Sequence, residues 1–159
     1  MEFTNSVFSH TVWRFNGRYL LLGTMRWIYI ALIIGVGLVL YLSWEPDPSM
    51  KHIRFIPAWI GRWADAKPNW ELRTAVPFVF LGILMSILPS RWPFYKHWVN
   101  SWLMLVGIVI LAETGQLFIP ERYFQWEDIG WGALGGAIGL CIGAILLFIT
   151  RKLIGTKRG

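Results

Sequence analysis

The sequence has little charge and almost no cysteine. Charged residues make up 15% of the 159 residues, well below the roughly 25% that is usual for soluble domains. The single cysteine, Cys141, lies within an apolar run, which excludes both a disulfide within the chain and a metal site built from cysteines. A soluble chain with so few charges would expose much apolar surface, so we expect lipid to be the solvent for much of this one.

Recognisable catalytic motifs are also absent. The sequence contains no nucleophile elbow, phosphate-binding loop, HExxH helix or dinucleotide fingerprint. Its three histidines, His10, His52 and His97, are far apart in sequence, and we expect His52 on the opposite side of the membrane from the other two, which argues against a shared metal site. Nothing beyond the net charge of +6 supports nucleic-acid binding. The sequence therefore predicts no catalytic residue, cofactor or metal, and it favours a non-enzymatic role.

Long apolar segments are what the sequence does contain. Hydrophobic residues make up 55% of the chain, and the mean hydropathy is +0.49. The pattern predicts an all-α polytopic membrane protein, a bundle of four transmembrane helices in a single membrane domain over residues 1–159. The predicted spans are approximately 27–43, 74–88, 98–119 and 129–150. The second is the shortest, and at about 1.5 Å per residue it barely crosses roughly 30 Å of hydrocarbon. Pro77 is predicted in its first turn, where proline is tolerated.

The longest polar connection, residues 44–73, contains four prolines, so one continuous helix through it is excluded. Within it, the stretch IPAWIGRWA mixes aromatic, aliphatic and basic residues. This composition predicts a short interfacial segment in the first outer loop, lying among the lipid headgroups without crossing. Most of the eleven tryptophans flank the predicted spans, as interface anchors do.

The distribution of basic residues predicts the orientation. The side that holds both termini carries nine Lys and Arg residues, and the other side carries six. Eight of the nine acidic residues fall on that other side when Glu113 is counted there. Because Lys and Arg accumulate in cytoplasmic loops, we expect both termini in the cytoplasm of a bacterial cell and the protein in its inner membrane.

A polar cluster follows the third predicted span. Glu113 lies seven positions before Pro120, about 10 Å along the helix from its outer end. A carboxyl group at that depth is costly unless it is paired, protonated or hydrated. Gln116 shares its helix face, and Arg122 and Asp128 follow in the connection. Two interpretations remain open: a pocket that binds a cation, a proton or a polar lipid headgroup, and a structural Glu113–Arg122 ion pair that holds the loop to the bundle.

The fourth predicted span is rich in glycine. Three of its glycines recur every four residues, which gives a double GxxxG face on which two helix backbones can approach closely. The partner is either another span of this chain or another protein, and packing within the chain is the favoured interpretation. The candidate packing residues are Gly132, Gly135, Gly136, Gly139 and Gly143.

The stretch from Glu113 to Gly139, ETGQLFIPERYFQWEDIGWGALGGAIG, resembles the VanZ-like family of small bacterial membrane proteins. The family pattern is Glu-x-x-Gln at the end of a span, then an Arg, an Asp and a glycine-rich span. The residues that match it are Glu113, Gln116, Arg122, Asp128, Gly135 and Gly139. The four-helix layout, the YLSWEP stretch after the first span and the FLG of the second are also similar. The resemblance implies a bacterial inner-membrane protein linked to glycopeptide resistance or cell-envelope systems, without an established catalytic activity.

Two hypotheses about function follow. The first is a non-enzymatic accessory or assembly subunit that packs against a larger membrane complex. The second is a lipid- or envelope-handling protein that uses Glu113, Gln116, Arg122 and Asp128 at the outer leaflet to bind a lipid or an envelope precursor. A proton or ion pathway is disfavoured because the middle of the spans is apolar.

Overall fold

The computed structural model describes residues 25–47, 49–50, 53–54, 56–90, 93–120 and 122–156. Within these residues the chain is helical, and four of its helices are long and apolar enough to cross a membrane. The prediction of an all-α protein with four membrane-spanning helices is thereby confirmed. The helices are α1 (Met25–Trp44), α2 (Ala58–Ala64), α3 (Trp70–Ile87), α4 (Phe94–Gln116) and α5 (Trp126–Thr156).

The helix α3 is longer than the sequence pattern predicts. It begins at Trp70, directly after a 3₁₀ turn over Lys67–Asn69, and its 18 residues extend about 27 Å. The placement of Pro77 in the first turn is therefore wrong, because this proline lies inside the helix. Because proline has no backbone N–H, it cannot make the helical hydrogen bond to the carbonyl oxygen of Arg73, four residues earlier. This position is where α3 borders the polar cluster.

The helix α4 ends at Gln116, three residues before the predicted end of the third span. Beyond it the chain forms tighter turns, in which each backbone N–H bonds the carbonyl oxygen three residues earlier. Leu117 bonds Thr114 in this way, and Ile119 bonds Gln116. This pattern is common at the ends of α-helices, where the last carbonyls lack partners. Glu113 therefore lies only about 4.5 Å from the end of its helix, not about 10 Å as the position of Pro120 suggested.

The glycines of α5 lie against α3 and α4. A methyl group on Gly135 or Gly139 would overlap a backbone carbonyl oxygen of α3, that of Ala75 or Val79. On α3, Gly82 lies equally close to the backbone of α5. Of the other candidates, Gly143 faces α3, while Gly132 and Gly136 face α4. The double GxxxG face is therefore occupied within the chain.

The bundle buries its apolar core where α3, α4 and α5 meet. The largest fully buried side chains there are Phe78, Leu105, Val109 and Leu140. Helix α1 is peripheral, with only 6% of its apolar window buried. It contributes the buried Leu32 to the same core cluster, and its partly buried Ile28, Val36 and Val39 pack against that cluster. Apolar packing therefore holds α1 along one face.

The first connection forms the short helix α2 within the stretch that the sequence marks as interfacial. Seven residues extend only about 10 Å, too short to cross a bilayer. Its C-terminal cap, Asp65, accepts hydrogen bonds from the Ser49 hydroxyl at 3.2 Å and the Met50 N–H at 2.9 Å. These bonds join the two ends of the first connection to each other.

Alternation of the helix directions brings four helix ends together. The C-termini of α1 and α4 meet the N-termini of α3 and α5, since one cavity is lined by a residue from each end: Ser43, Gln116, Thr74 and Asp128. Hydrogen bonds join Trp44 to Ala112 and Thr74 to Asp128. We call this end of the bundle, with the connections 45–69 and 117–125 above it, the polar end.

Candidate functional site

The carboxyl group of Glu113 is buried at the polar end, with 3% of the residue exposed. One carboxyl oxygen accepts a hydrogen bond from the Gln116 side-chain amide at 3.3 Å. The other accepts the backbone N–H of Gln125 at 3.1 Å, so the connection after α4 folds back onto the carboxyl group. The fold therefore gives this costly group two donors, one from its own helix and one from the loop.

Arg122 binds the end of α1. One terminal nitrogen of its guanidinium donates to the carbonyl oxygens of Leu42 at 3.1 Å and Ser43 at 3.0 Å. These carbonyls lie in the last turn of α1, where no intrahelical N–H is available, and a cation there also complements the helix dipole. The Nε atom of Arg122 is buried and has no hydrogen-bond partner among the described residues.

Glu113 and Arg122, both within the described chain, do not form a direct ion pair. The hydrogen bonds of Glu113 go to Gln116 and Gln125, and those of Arg122 go to α1. Burial lowers the pKa of the Arg122 guanidinium, and the nearby charge of Arg73 lowers it further. The carboxylates of Glu113, Asp128 and Asp47 act in the opposite direction. The polar end therefore contains separated charges of both signs, in place of a closed Glu–Arg pair.

A set of bonds between α1 and α4 completes the wall of the site. The Trp44 indole N–H donates to the carbonyl oxygen of Ala112 at 3.1 Å, and the Ser43 hydroxyl approaches the same oxygen at 3.4 Å. The Trp44 ring lies against Gly115, where a Cβ atom would overlap it. Gln116 donates to the Ser43 hydroxyl at 2.8 Å. These polar contacts add to the apolar packing that attaches the peripheral α1 to the rest of the bundle.

Asp128 connects α3 to α5. It lies in the first turn of α5, where a carboxylate complements the positive end of the helix dipole. One of its carboxylate oxygens accepts the Thr74 hydroxyl at 3.1 Å. Asp128 thus fixes the entrance of α5 beside the entrance of α3.

Two cavities adjoin at the polar end. The inner cavity, about 80 Å³, has room for a few water molecules and is lined by apolar residues such as Phe78 and Val109 together with polar ones. The outer cavity, about 580 Å³, opens above it and is lined mainly by polar side chains. Four residues line both cavities: Arg73, Gln116, Arg122 and Asp128.

All four polar residues singled out from the sequence, Glu113, Gln116, Arg122 and Asp128, line the inner cavity. The sequence does not single out four further polar residues that line this cavity: Ser43, Asp47, Arg73 and Thr74. No local pattern marks these residues, because Ser43 and Asp47 lie at or just after the end of the first predicted span and Arg73 and Thr74 lie at the start of the second. Trp44, one of the tryptophans that flank the predicted spans, does more than an interface anchor does, because its indole N–H bonds α4.

The fold and the site define a small polytopic membrane protein with four spanning helices and a buried polar cluster at one end. The model of the family described as VanZ/LLP1 matches residues 26–148. The chain therefore belongs to the VanZ/LLP1 family, and the matched region begins in α1, ends in α5 and includes every residue of the polar cluster. No curated protein and no solved structure matches the chain.

Proposed function

We propose that this VanZ-like protein binds the polar part of an envelope lipid or lipid-linked precursor at the polar end. The observation that carries the proposal is the position of Glu113. Its carboxyl group is buried, no cationic side chain among the residues that the structure describes bonds it directly, and it lines a cavity that adjoins a larger polar one. Concave sites with a few convergent polar groups are typical of ligand binding.

The inner cavity also has the mixed character that an amphiphilic ligand requires. Val39 and Leu42 of α1 and Phe78 of α3 provide apolar walls, and Glu113 and Arg122 provide polar ones. A molecule with a polar head and an apolar tail would place its head between the helix ends and leave its tail along the bundle.

The test is a Glu113→Gln variant, which keeps the shape of the side chain and removes its charge. Native mass spectrometry of the protein isolated from its own membranes should show a bound lipid-sized molecule on the unaltered chain and a several-fold loss on the variant. Thr114→Val is the matched control, because Thr114 is exposed and its hydroxyl bonds only its own helix at Ile110. Equal retention by all three proteins, at equal expression, would assign Glu113 a purely structural role.

We further propose that the polar end faces the outer leaflet of a bacterial inner membrane, with both termini in the cytoplasm. The excess of Lys and Arg on the terminal side supports this orientation. Reporter fusions at the C-terminus and within α2 test it directly. An active periplasmic reporter at the C-terminus would reverse the proposed orientation.

A second candidate function is that of an accessory subunit in a larger membrane complex. The glycine face is occupied by α3 and α4, so it offers nothing to a partner. The surface of α1 is different: Trp27 is 72% exposed and Ile33 is 73% exposed, and only one face of the helix packs against the core. Native purification in mild detergent tests this candidate, and a chain that migrates alone, without a stable partner, would contradict it.

A further inference from the structure

The outer cavity carries both signs of charge at its base and at its mouth. Arg73, Arg122 and Asp128 also line the inner cavity and so lie at the base. Lys67 and Glu71 are exposed and line only the outer cavity, so they lie at the mouth. Because both signs occur at each depth, the cavity has no strong field of one sign to attract an ion. This balance favours a neutral ligand.

The mouth of the outer cavity offers hydrogen-bonding groups to a ligand. Four exposed side chains line it and are not hydrogen-bonded to any residue in the part of the chain that the structure describes: Lys67, Glu71, Gln125 and Glu127. A carboxylate only accepts hydrogen bonds, an ammonium group only donates them, and an amide does both. A hydroxyl group also does both, so a ligand with several hydroxyl groups can use acceptors and donors together.

Two exposed aromatic rings line the same cavity. Trp70 is 56% exposed and Tyr123 is 78% exposed. The Trp70 indole N–H donates to the backbone carbonyl oxygen of Asp65 at 3.3 Å, which fixes the ring at the wall of the cavity. The face of an aromatic ring carries partial negative charge, so it attracts the slightly positive C–H groups of a ligand. A ligand with C–H groups on a flat face is therefore complementary to this wall.

A sugar ring combines these properties, because it carries hydroxyl groups around its edge and C–H groups on its faces. We propose that the outer cavity binds the neutral sugar headgroup of a glycolipid, with one ring face against Trp70 and its hydroxyl groups bonded to the side chains at the mouth. The cavity of about 580 Å³ lies within the size range of small-molecule sites. The inference rests on the proposed lipid-binding function and specifies the ligand class of the same site.

The experiment compares two lipids on the full chain. The protein is mixed with equal amounts of monoglucosyl diacylglycerol and phosphatidylethanolamine of identical acyl chains, and bound lipid is counted by native mass spectrometry. The detergent is lauryldimethylamine oxide, since a detergent with a sugar headgroup would compete for the site. We expect bound glycolipid to exceed bound phosphatidylethanolamine by about fivefold, the scale of one net hydrogen bond.

Variants of Trp70 test the stacking. Trp70→Leu keeps an apolar side chain but removes the flat ring, so it should bring the lipid ratio close to one. Trp70→Phe keeps a ring face and loses only the indole N–H, so it should retain most of the preference. Trp59→Leu is the matched control, because Trp59 is 67% exposed on α2 and lines neither cavity. An unchanged ratio in Trp70→Leu, or an equal fall in Trp59→Leu, would overturn the inference.

A double variant, Glu71→Gln with Glu127→Gln, separates hydroxyl recognition from charge recognition. Both positions are exposed, and an amide still bonds hydroxyl groups. The double variant should therefore keep most of the preference for the glycolipid. Loss of the preference would show that charge selects the ligand and would contradict a neutral sugar.

The unaltered protein distinguishes failure of the inference from failure of the proposed function. A lipid ratio of one or below would overturn the inference while leaving lipid binding intact. Binding of neither lipid would overturn the proposed function as well.

Soluble probes identify the source of the ligand. Methyl glucoside in excess should displace the bound glycolipid. Sorbitol at the same concentration should displace less of it, because it carries more hydroxyl groups but has no ring face to stack on Trp70. Equal displacement by both compounds would contradict recognition of the ring. Binding of methyl glucoside without any glycolipid adduct would contradict a membrane source.

Discussion

Gln116 donates its side-chain amide to the Ser43 hydroxyl at 2.8 Å, and this bond joins the last turn of α4 to the last turn of α1. The same amide nitrogen also donates to Glu113, so one side chain supports the buried carboxyl group and the peripheral helix together. The attachment of α1 and the shape of the candidate site are therefore physically coupled.

Ser43→Ala should test this coupling. The substitution removes the acceptor of Gln116 and the hydroxyl that approaches the Ala112 carbonyl. We expect a loss of about 1 kcal/mol in the free energy of unfolding, the usual scale of one neutral hydrogen bond. Thermal unfolding in detergent measures it, with Thr150→Val as control because its hydroxyl bonds only carbonyls of α5. An unchanged melting temperature for Ser43→Ala would show that the bond contributes nothing.

Arg122→Met should loosen α1 more strongly. Methionine keeps much of the apolar stem but leaves the carbonyls of Leu42 and Ser43 without their charged donor. Hydrogen bonds to charged groups contribute about 1.5–3 kcal/mol, so we expect a stability loss of that size and faster proteolysis in the connection after α1. Arg62→Met, at an exposed position of α2, is the control. Identical proteolysis of the two variants would contradict the role assigned to Arg122.

Gly139→Ala should disrupt the contact between α3 and α5. A methyl group there would overlap the carbonyl oxygen of Val79, which belongs to a backbone and cannot rotate away. We expect a cost of about 1–3 kcal/mol from overpacking, seen as reduced accumulation and a lower melting temperature. Gly130→Ala, on the same helix with open space around it, should be neutral or slightly stabilising because alanine favours helix. Equal stability of the two variants would contradict close packing at Gly139.

Hydropathy was sufficient to predict the four spanning helices, because each contains a continuous apolar run. It was less successful at their ends. The helix α3 begins at Trp70 although Glu71 and Arg73 are charged, since its first turn lies at the polar end, where charged side chains reach the outer cavity. The end of α4 at Gln116 was missed because the tightened turns after it retain the apolar composition of a helix.

The site was predicted in part for a related reason. The spacing of Glu113 and Gln116 within one helix is visible in sequence, so their shared face could be derived. The involvement of Ser43 and Thr74 depends on which helix ends meet, and that is a property of the bundle. The pairing of Glu113 with the Gln125 N–H is a backbone contact, for which side-chain identity gives no signal.

The bond between Thr74 and Asp128 should appear as a coupling energy between α3 and α5. Thr74→Val and Asp128→Asn each weaken the bond, so the double variant should lose less stability than the sum of the two single variants. Double-mutant cycles of polar pairs in membrane proteins average about 0.6 kcal/mol, and we expect a coupling of that order. Reversible unfolding in mixed detergent provides the four free energies. If the stability losses of the two single variants add up to that of the double variant, the Thr74 hydroxyl contributes no bond energy. Asp128 would then act mainly through the helix dipole and the charge of the outer cavity.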